Sequence, residues 1–174
     1  MNKTLVLGGV KSGKSLLAEQ LASQTESEII YIATATAGDK AMQQRIEAHK
    51  KQRPSQWLTV EAPIQLAKAI EQHSLPSNCI LVDCLTLWLT NLLMADDNDL
   101  LEQEIEALIT TFSTMSGKII LVSNETNMGV MPLGELSRQY CDQIGILHQR
   151  IASLADRVIL TVAGLPHVLK GQLQ

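Results

Sequence analysis

Five short apolar runs break up the chain: Thr4–Leu7, Glu28–Ala33, Cys79–Asp83, Lys118–Ser123 and Arg157–Val162. Each is rich in Ile and Val and none alternates apolar with polar, which is how strands covered on both faces read. Helical patterns fall between them. Residues 14–23 follow the first run, and Asp39 to Lys51 and Ile64 to Ser74 both lie between the second and third. Leu85 to Ala95 reads as a buried helix. Beyond it, Leu101, Ile105, Leu108, Phe112 and Met115 recur at four-three spacing. That stripe lasts only about two heptads, so it predicts a core-facing helix and not a coiled coil. Strands alternating with helices imply an α/β fold with a parallel central sheet and helices on both faces. No internal repeat, low-complexity tract or linker interrupts the pattern, so residues 1–174 are expected to form one domain.

Composition agrees and removes several function classes. An apolar fraction of 45% against 18% charged is that of a globular chain. At 174 residues the chain can hide about 70% of its unfolded surface. A net charge of −4 and 3% aromatics argue against a nucleic-acid partner, which would require a basic field or stacking platforms. The greasiest segment, "LTLWLTNLLMA", is about half the length of a membrane span and carries Thr86, Thr90 and Asn91. The N-terminal apolar run is too short for a signal peptide. Cys79, Cys84 and Cys141 form no CxxC pair, so they predict neither a disulfide framework nor a zinc site, but small buried hydrophobes. His73, His148 and His167 lie in no metal-ligand spacing and are expected to be surface or structural residues. A cytoplasmic protein is the expectation.

One pattern carries chemistry immediately. "GGVKSGKS", Gly8 to Ser15, satisfies G-x-x-x-x-G-K-[ST] directly after a predicted strand and at the start of a predicted helix. Gly8, Gly9 and Gly13 let the backbone turn its N–H groups inward, with Val10, Lys11 and Ser12 completing the loop, and the helix N-terminus adds partial positive charge. Lys14 can reach the β- and γ-phosphates, and Ser15 can ligate Mg²⁺. Such a loop needs an acid on a second strand to hold the metal. Asp83, closing "CILVD", supplies one if that strand is brought beside the first. A helix N-cap ahead of "LTLWLTNLL" is its other reading. The pair specifies a nucleotide-binding protein without saying what is done with the nucleotide.

The stretch "RIEAHKKQRP" gathers Arg45, Lys50, Lys51 and Arg53 around His49 in an acidic chain. If Asp39 to Lys51 is helical, Arg45 and His49 share a face at i and i+4. Neighbouring cations disfavour the imidazolium and so keep a nucleophile available, while stabilising charge on an attacked phosphate. Pro54 turns Arg53 out of helical geometry. A solvated basic helix face fits the same residues.

These segments together resemble the bifunctional adenosylcobinamide kinase/adenosylcobinamide-phosphate guanylyltransferases of cobalamin biosynthesis. The resemblance runs from the first strand to near the C-terminus through "GGVKSGKS", "YIATA", "RIEAHKKQRP", "DCLTLWLTNLL" and "VSNETNMGVMP". It implies a P-loop, RecA-like fold, a homotrimer, ATP or GTP and Mg²⁺ as reactants, and adenosylcobinamide, a corrinoid, as substrate. It further implies that His49 carries GMP covalently while Lys14 and Asp83 serve the triphosphate. Nucleotide contacts are implied at Ala33, Thr34 and Ala35, at Lys50, Lys51, Gln52 and Arg53, and at Glu61, whose carboxylate can accept guanine or ribose hydrogen bonds.

Two positions depart from the family pattern. Asn127 stands at the first glycine of Ser-Asn-Glu-x-Gly-x-Gly, where its tolerance of left-handed backbone is expected to preserve the loop. His148 stands where Asn is usual. Competing readings are a P-loop kinase without guanylyl transfer, which has no use for His49, and a RecA-like nucleotide switch that binds a polymer or partner protein.

Overall fold

The structure, a computed structural model, describes residues 2–36, 54 and 56–173. Its centre is a sheet of seven strands in the order β3-β2-β4-β5-β1-β6-β7. In chain order the elements are β1 (Lys3–Gly8), α1 (Lys14–Ser23), β2 (Glu28–Ala33), β3 (Leu58–Glu61), α2 (Leu66–His73) and β4 (Asn78–Asp83). They continue with α3 (Leu85–Met94), α4 (Asn98–Thr114), β5 (Lys118–Asn124), α5 (Glu135–Leu154), β6 (Arg157–Val162) and β7 (Leu165–Lys170). Every pairing from β3 to β6 is parallel, and only β7 runs antiparallel, on β6. This is the mostly parallel, helix-flanked α/β sheet expected of a P-loop NTPase.

The continuous apolar runs have a direct cause. Side chains alternate between two cores on opposite faces of the sheet, so every position in a central strand is buried. Leu5, Ile30, Ile32, Ile80, Val82 and Leu121 join the core covered by α2, α3, α4 and α5. Val6, Tyr31, Leu81, Ile120 and Val122 face the other, where Ala18, Leu21 and Ala22 of α1 pack with Trp57. Among the described residues α1 is the main helix on that second face, with Leu87 of α3 packed against the same core. Trp88 is fully buried in α3 and satisfies its indole by donating to the Ile64 carbonyl at 2.6 Å. Asp97 caps α4 by accepting from the Leu100 amide at 3.0 Å.

Two expectations are adjusted. The strand bearing Asp83 does not lie beside β1, because β5 sits between them and pairs with both. The predicted helix from Asp39 to Lys51 lies outside the described residues.

Candidate active site

All parallel strands end on one edge, and among the described residues Gly8, Ala33, Glu61 and Asp83 lie there. In register, Gly8 stands opposite Asn124 and Thr161, Ala33 opposite Glu61 and Asp83, and Asp83 opposite Val122. Parallel sheets bind ligands at this carboxyl edge, in crevices where the connections diverge.

The phosphate loop leaves β1 at Gly8 and enters α1 at Lys14. Gly13 takes left-handed φ of 95° as the α1 N-cap, and Lys11 also turns through positive φ, 55°. The loop is closed by the Ser12 amide donating to the Gly9 carbonyl at 3.2 Å. A second bond, from the Gly164 amide to the Ser12 carbonyl at 2.8 Å, ties it to the β6–β7 turn. Gly8 has no room for a side chain, since a Cβ there would meet Ser12 Oγ at 2.4 Å and the Thr161 carbonyl at 2.6 Å. Among the described residues no side chain caps α1 and no acid occupies its first turn, an arrangement compatible with an anion at its N-terminus. Lys14 folds back over the loop, its ammonium 3.2 Å from the Gly9 carbonyl. Val10 and Lys11 are exposed, while Ser15 is half-buried at the helix start.

Asp83 ends β4 half-buried, joined to Cys84 by a cis peptide. It is not a cap. Cys84 holds the N-cap position of α3, without a side-chain cap bond. The Tyr31 hydroxyl donates to Asp83 Oδ2 at 3.0 Å and fixes the carboxylate's direction. Burial and the Asp83 charge push the Cys84 thiol up to about 11, while the Lys14 ammonium pulls the other way. Burial likewise raises Cys79, so both stay neutral hydrophobes as expected from the sequence.

Ser15 and Asp83 offer hard oxygen donors suited to Mg²⁺. Among the described residues no group of three or more His, Cys, Asp or Glu could cage a cation. That donor set fits an ion held largely by phosphate oxygens and water, as Mg²⁺ commonly is.

The "ATA" turn after β2 divides its labour. Thr34 is fully buried, its hydroxyl donating to the Cys84 carbonyl at 2.7 Å and accepting from the Cys84 amide at 2.8 Å. Its own carbonyl accepts from Asn91 Nδ2 at 2.8 Å, and Asn91 also reaches the Pro63 carbonyl at 3.0 Å. Thr34 is thus a peg between β2 and β4, leaving the half-buried Ala33 and Ala35 as the positions that can face a ligand. Glu61 is exposed at the end of β3, in register with Ala33. His49, Lys50, Lys51, Gln52 and Arg53 lie outside the described residues, as does Arg45.

Sequence reasoning quoted the segments that hold Tyr31 and Asn91 but gave neither side chain a role. It also gave Asn127 the wrong reason. Asn127 does not adopt positive φ, and its side chain is used as a hook instead. His148 is structural, as expected, but buried, with Nε2 2.8 Å from Ser123 Oγ.

Comparison with known proteins bears on the same residues. A family model described as "Cobinamide kinase / cobinamide phosphate guanyltransferase" matches residues 4–169. The "Bifunctional adenosylcobalamin biosynthesis protein CobP" of Pseudomonas aeruginosa is 54% identical over 170 residues, spanning 98% of both chains. The corresponding CobU proteins of Salmonella typhimurium and Escherichia coli are each 37% identical over 174 residues, covering 92% of this chain and 96% of theirs. A solved structure from Pyrococcus horikoshii OT3 superposes with a TM-score of 0.53 at 8% identity, over 98% of this chain and 86% of that one. At that identity the likeness concerns the fold alone.

Proposed function

The chain belongs to the cobinamide kinase / cobinamide phosphate guanyltransferase family, and from that premise we propose a two-step reaction for it. In the first step the aminopropanol hydroxyl of adenosylcobinamide attacks the γ-phosphorus of ATP or GTP, and the nucleoside diphosphate leaves. In the second, a His49 nitrogen attacks the α-phosphorus of GTP and pyrophosphate leaves. An oxygen of adenosylcobinamide phosphate then displaces His49, giving the GDP-linked corrinoid. The observation that supports the reading best is the phosphate loop at the carboxyl edge of the sheet, with Lys14 folded over it and Asp83 closing β4 at the same edge.

Each residue has a physical task. The loop amides and the α1 N-terminus hold triphosphate oxygens, and Lys14 neutralises charge that accumulates during transfer. Tyr31 holds the Asp83 carboxylate toward the site. Ser15 and Asp83 would hold Mg²⁺, which would supply positive charge to the triphosphate during transfer. Arg45, Lys50 and Arg53 would stabilise charge on the α-phosphate while His49 attacks. Ala33, Ala35 and Glu61 would line the nucleotide's base and ribose. The homotrimer and a cytoplasmic location, where both nucleotides are available, complete the reading. Among the described residues no helix is long and apolar enough to cross a membrane.

Labelled GTP provides the test. α-Labelled GTP should leave an acid-labile, alkali-stable label on the protein, and γ-labelled GTP should not mark the same histidine. His49→Ala should abolish the label and guanylyl transfer while the kinase step survives, since γ-phosphoryl transfer requires positioning and charge stabilisation alone. GDP-linked product formed at the normal rate by His49→Ala would reduce the cationic cluster to a solvated face.

A further inference from the structure

Beyond β5 the backbone is fastened to the flank of α5 at two points. At the first, His148 Nε2 lies 2.8 Å from Ser123 Oγ, and both residues are buried. Ser123 Oγ in turn lies 3.5 Å from Thr86 Oγ1, which accepts from the Asn124 amide at 2.8 Å. The Thr86 and Ser123 hydroxyls and the His148 ring thus form one chain of polar contacts. The other ring nitrogen, Nδ1, faces Glu125 Oε2 at 3.9 Å. Burial holds His148 below its usual range, partly opposed by Glu125, so the ring is neutral and has one acceptor to offer.

At the second point, Asn127 Nδ2 donates to the Cys141 carbonyl at 2.8 Å. The Asn127 amide also donates to Glu125 Oε1 at 2.8 Å. The contact needs a helix without a side chain at that spot, because a Cβ on Gly145 would stand 2.9 Å from Asn127 Nδ2. Gly145 lies inside α5, where glycine is otherwise unfavourable. The Glu125 carboxylate thus accepts from the Asn127 backbone amide and lies near the His148 ring. The Glu125 amide donates to the Gly8 carbonyl at 3.0 Å, so the same segment grips the phosphate loop at its root.

We propose that His148 and Asn127 are positioning residues, a two-point clamp that sets residues 123–128 and the Glu125 carboxylate against the phosphate loop for phosphoryl transfer to the corrinoid hydroxyl. The kinetic half rests on the function proposed above; the mechanical half does not. The clamp also gives a single account of the two departures from the family pattern, since both side chains hold one segment. The phosphate loop keeps its own bonds to Gly9 and Gly164, so loss of the clamp should disturb transfer more than nucleotide binding.

The full-length protein is compared with His148→Ala, His148→Gln, Asn127→Ala, Gly145→Ala and the Asn127→Ala/His148→Ala pair. Steady-state kinase kinetics with adenosylcobinamide and GTP are measured beside amide hydrogen exchange of residues 123–128. His148→Ala and Asn127→Ala should each lower kcat on the order of ten- to a hundredfold, with the KM for GTP held within about twofold. Exchange across residues 123–128 should quicken about tenfold or more. The double variant should fall short of the product of the singles. His148→Gln, whose amide can still meet Ser123, should recover most of the rate. Gly145→Ala should mimic Asn127→Ala, although helix propensity alone makes it a stabilising change. Unchanged exchange in Asn127→Ala and Gly145→Ala overturns the clamp, even where His148→Ala fails to fold. Faster exchange with unchanged kcat overturns its catalytic part. A wild-type protein inactive on the corrinoid overturns the function proposed above and leaves the exchange comparison to decide the clamp.

Discussion

Alanine at Gly8 and alanine at Gly9 separate the steric demands of two adjacent glycines. At Gly8 the new methyl would approach Ser12 Oγ to 2.4 Å and the Thr161 carbonyl to 2.6 Å. The serine hydroxyl can rotate aside. The carbonyl cannot, because Thr161 is paired with Gly8 between β6 and β1, and moving it parts the strands. Overpacking costs about 1–3 kcal/mol, and a backbone obstacle puts this case near about 2–3 kcal/mol. A domain of this size loses about 2–4 °C of Tm per kcal/mol, so Gly8→Ala should melt about 4–12 °C lower. At Gly9 nothing lies within 4 Å of a Cβ and φ is not left-handed, so Gly9→Ala should melt at or slightly above the wild type. Thermal unfolding with and without GTP and Mg²⁺ reads both effects. Gly8→Ala should also lose most of the nucleotide-induced rise in Tm, because its loop no longer closes on Ser12. Equal Tm and equal nucleotide response in Gly8→Ala and the wild type would refute the steric account, as would a matching loss in Gly9→Ala.

Three further outcomes follow from the site. Lys14→Ala or Asp83→Ala should lower both kinase and guanylyl transfer rates by about two to four orders of magnitude, and near-normal rates in assays of both steps would remove the site from the reaction. Asn91→Ala leaves the Thr34 and Pro63 carbonyls without their shared donor, which should cost about 1–3 kcal/mol in urea unfolding; a loss below about 0.5 kcal/mol contradicts the latch. Because burial lowers the His148 pKa, the unfolded chain binds its proton more readily. That contribution to stability is complete above the unfolded value of about 6.5 and disappears as pH falls from there through the lower folded value. His148→Gln should flatten the decline between pH 7.5 and 5.5, and an identical slope in the variant would assign it to other groups.

The fold was legible where burial wrote it into the chain. All five predicted strands and the 14–23 helix stand where their apolar runs placed them, because a strand packed on both faces leaves no polar position to blur the signal. β7 escaped detection since "LPHVLK" contains Pro166 and is mostly exposed, the marks of an edge strand with only β6 for a partner. α5 was missed as an element despite its buried Ile144, Leu147 and Ile151, with Gly145 and a largely polar exposed face diluting the pattern. At the site, the turn of the phosphate loop and the strand-end position of Asp83 could be read, because the first is a fixed-spacing pattern and the second closes an apolar run. Tyr31, Asn91 and the clamp of His148 and Asn127 could not. Their partners are separated in sequence by 52, 57, 25 and 14 residues, so only the folded chain brings them together.

The strand order also governs when the site can exist during synthesis. β1 pairs only with β5 and β6, both from the far half of the chain. It therefore leaves the ribosome long before either neighbour, and at roughly 5–20 residues per second it waits on the order of 5–20 seconds for β5. Through that interval β2, β3 and β4 can already form their own sheet, since they pair with one another. The phosphate loop, tied at Gly8 to β5 and at Ser12 to the β6–β7 turn, closes only as the last strands arrive. A nascent chain halted before Lys118 would thus carry the whole nucleotide motif in its sequence and bind no nucleotide, which keeps a half-made enzyme from engaging GTP.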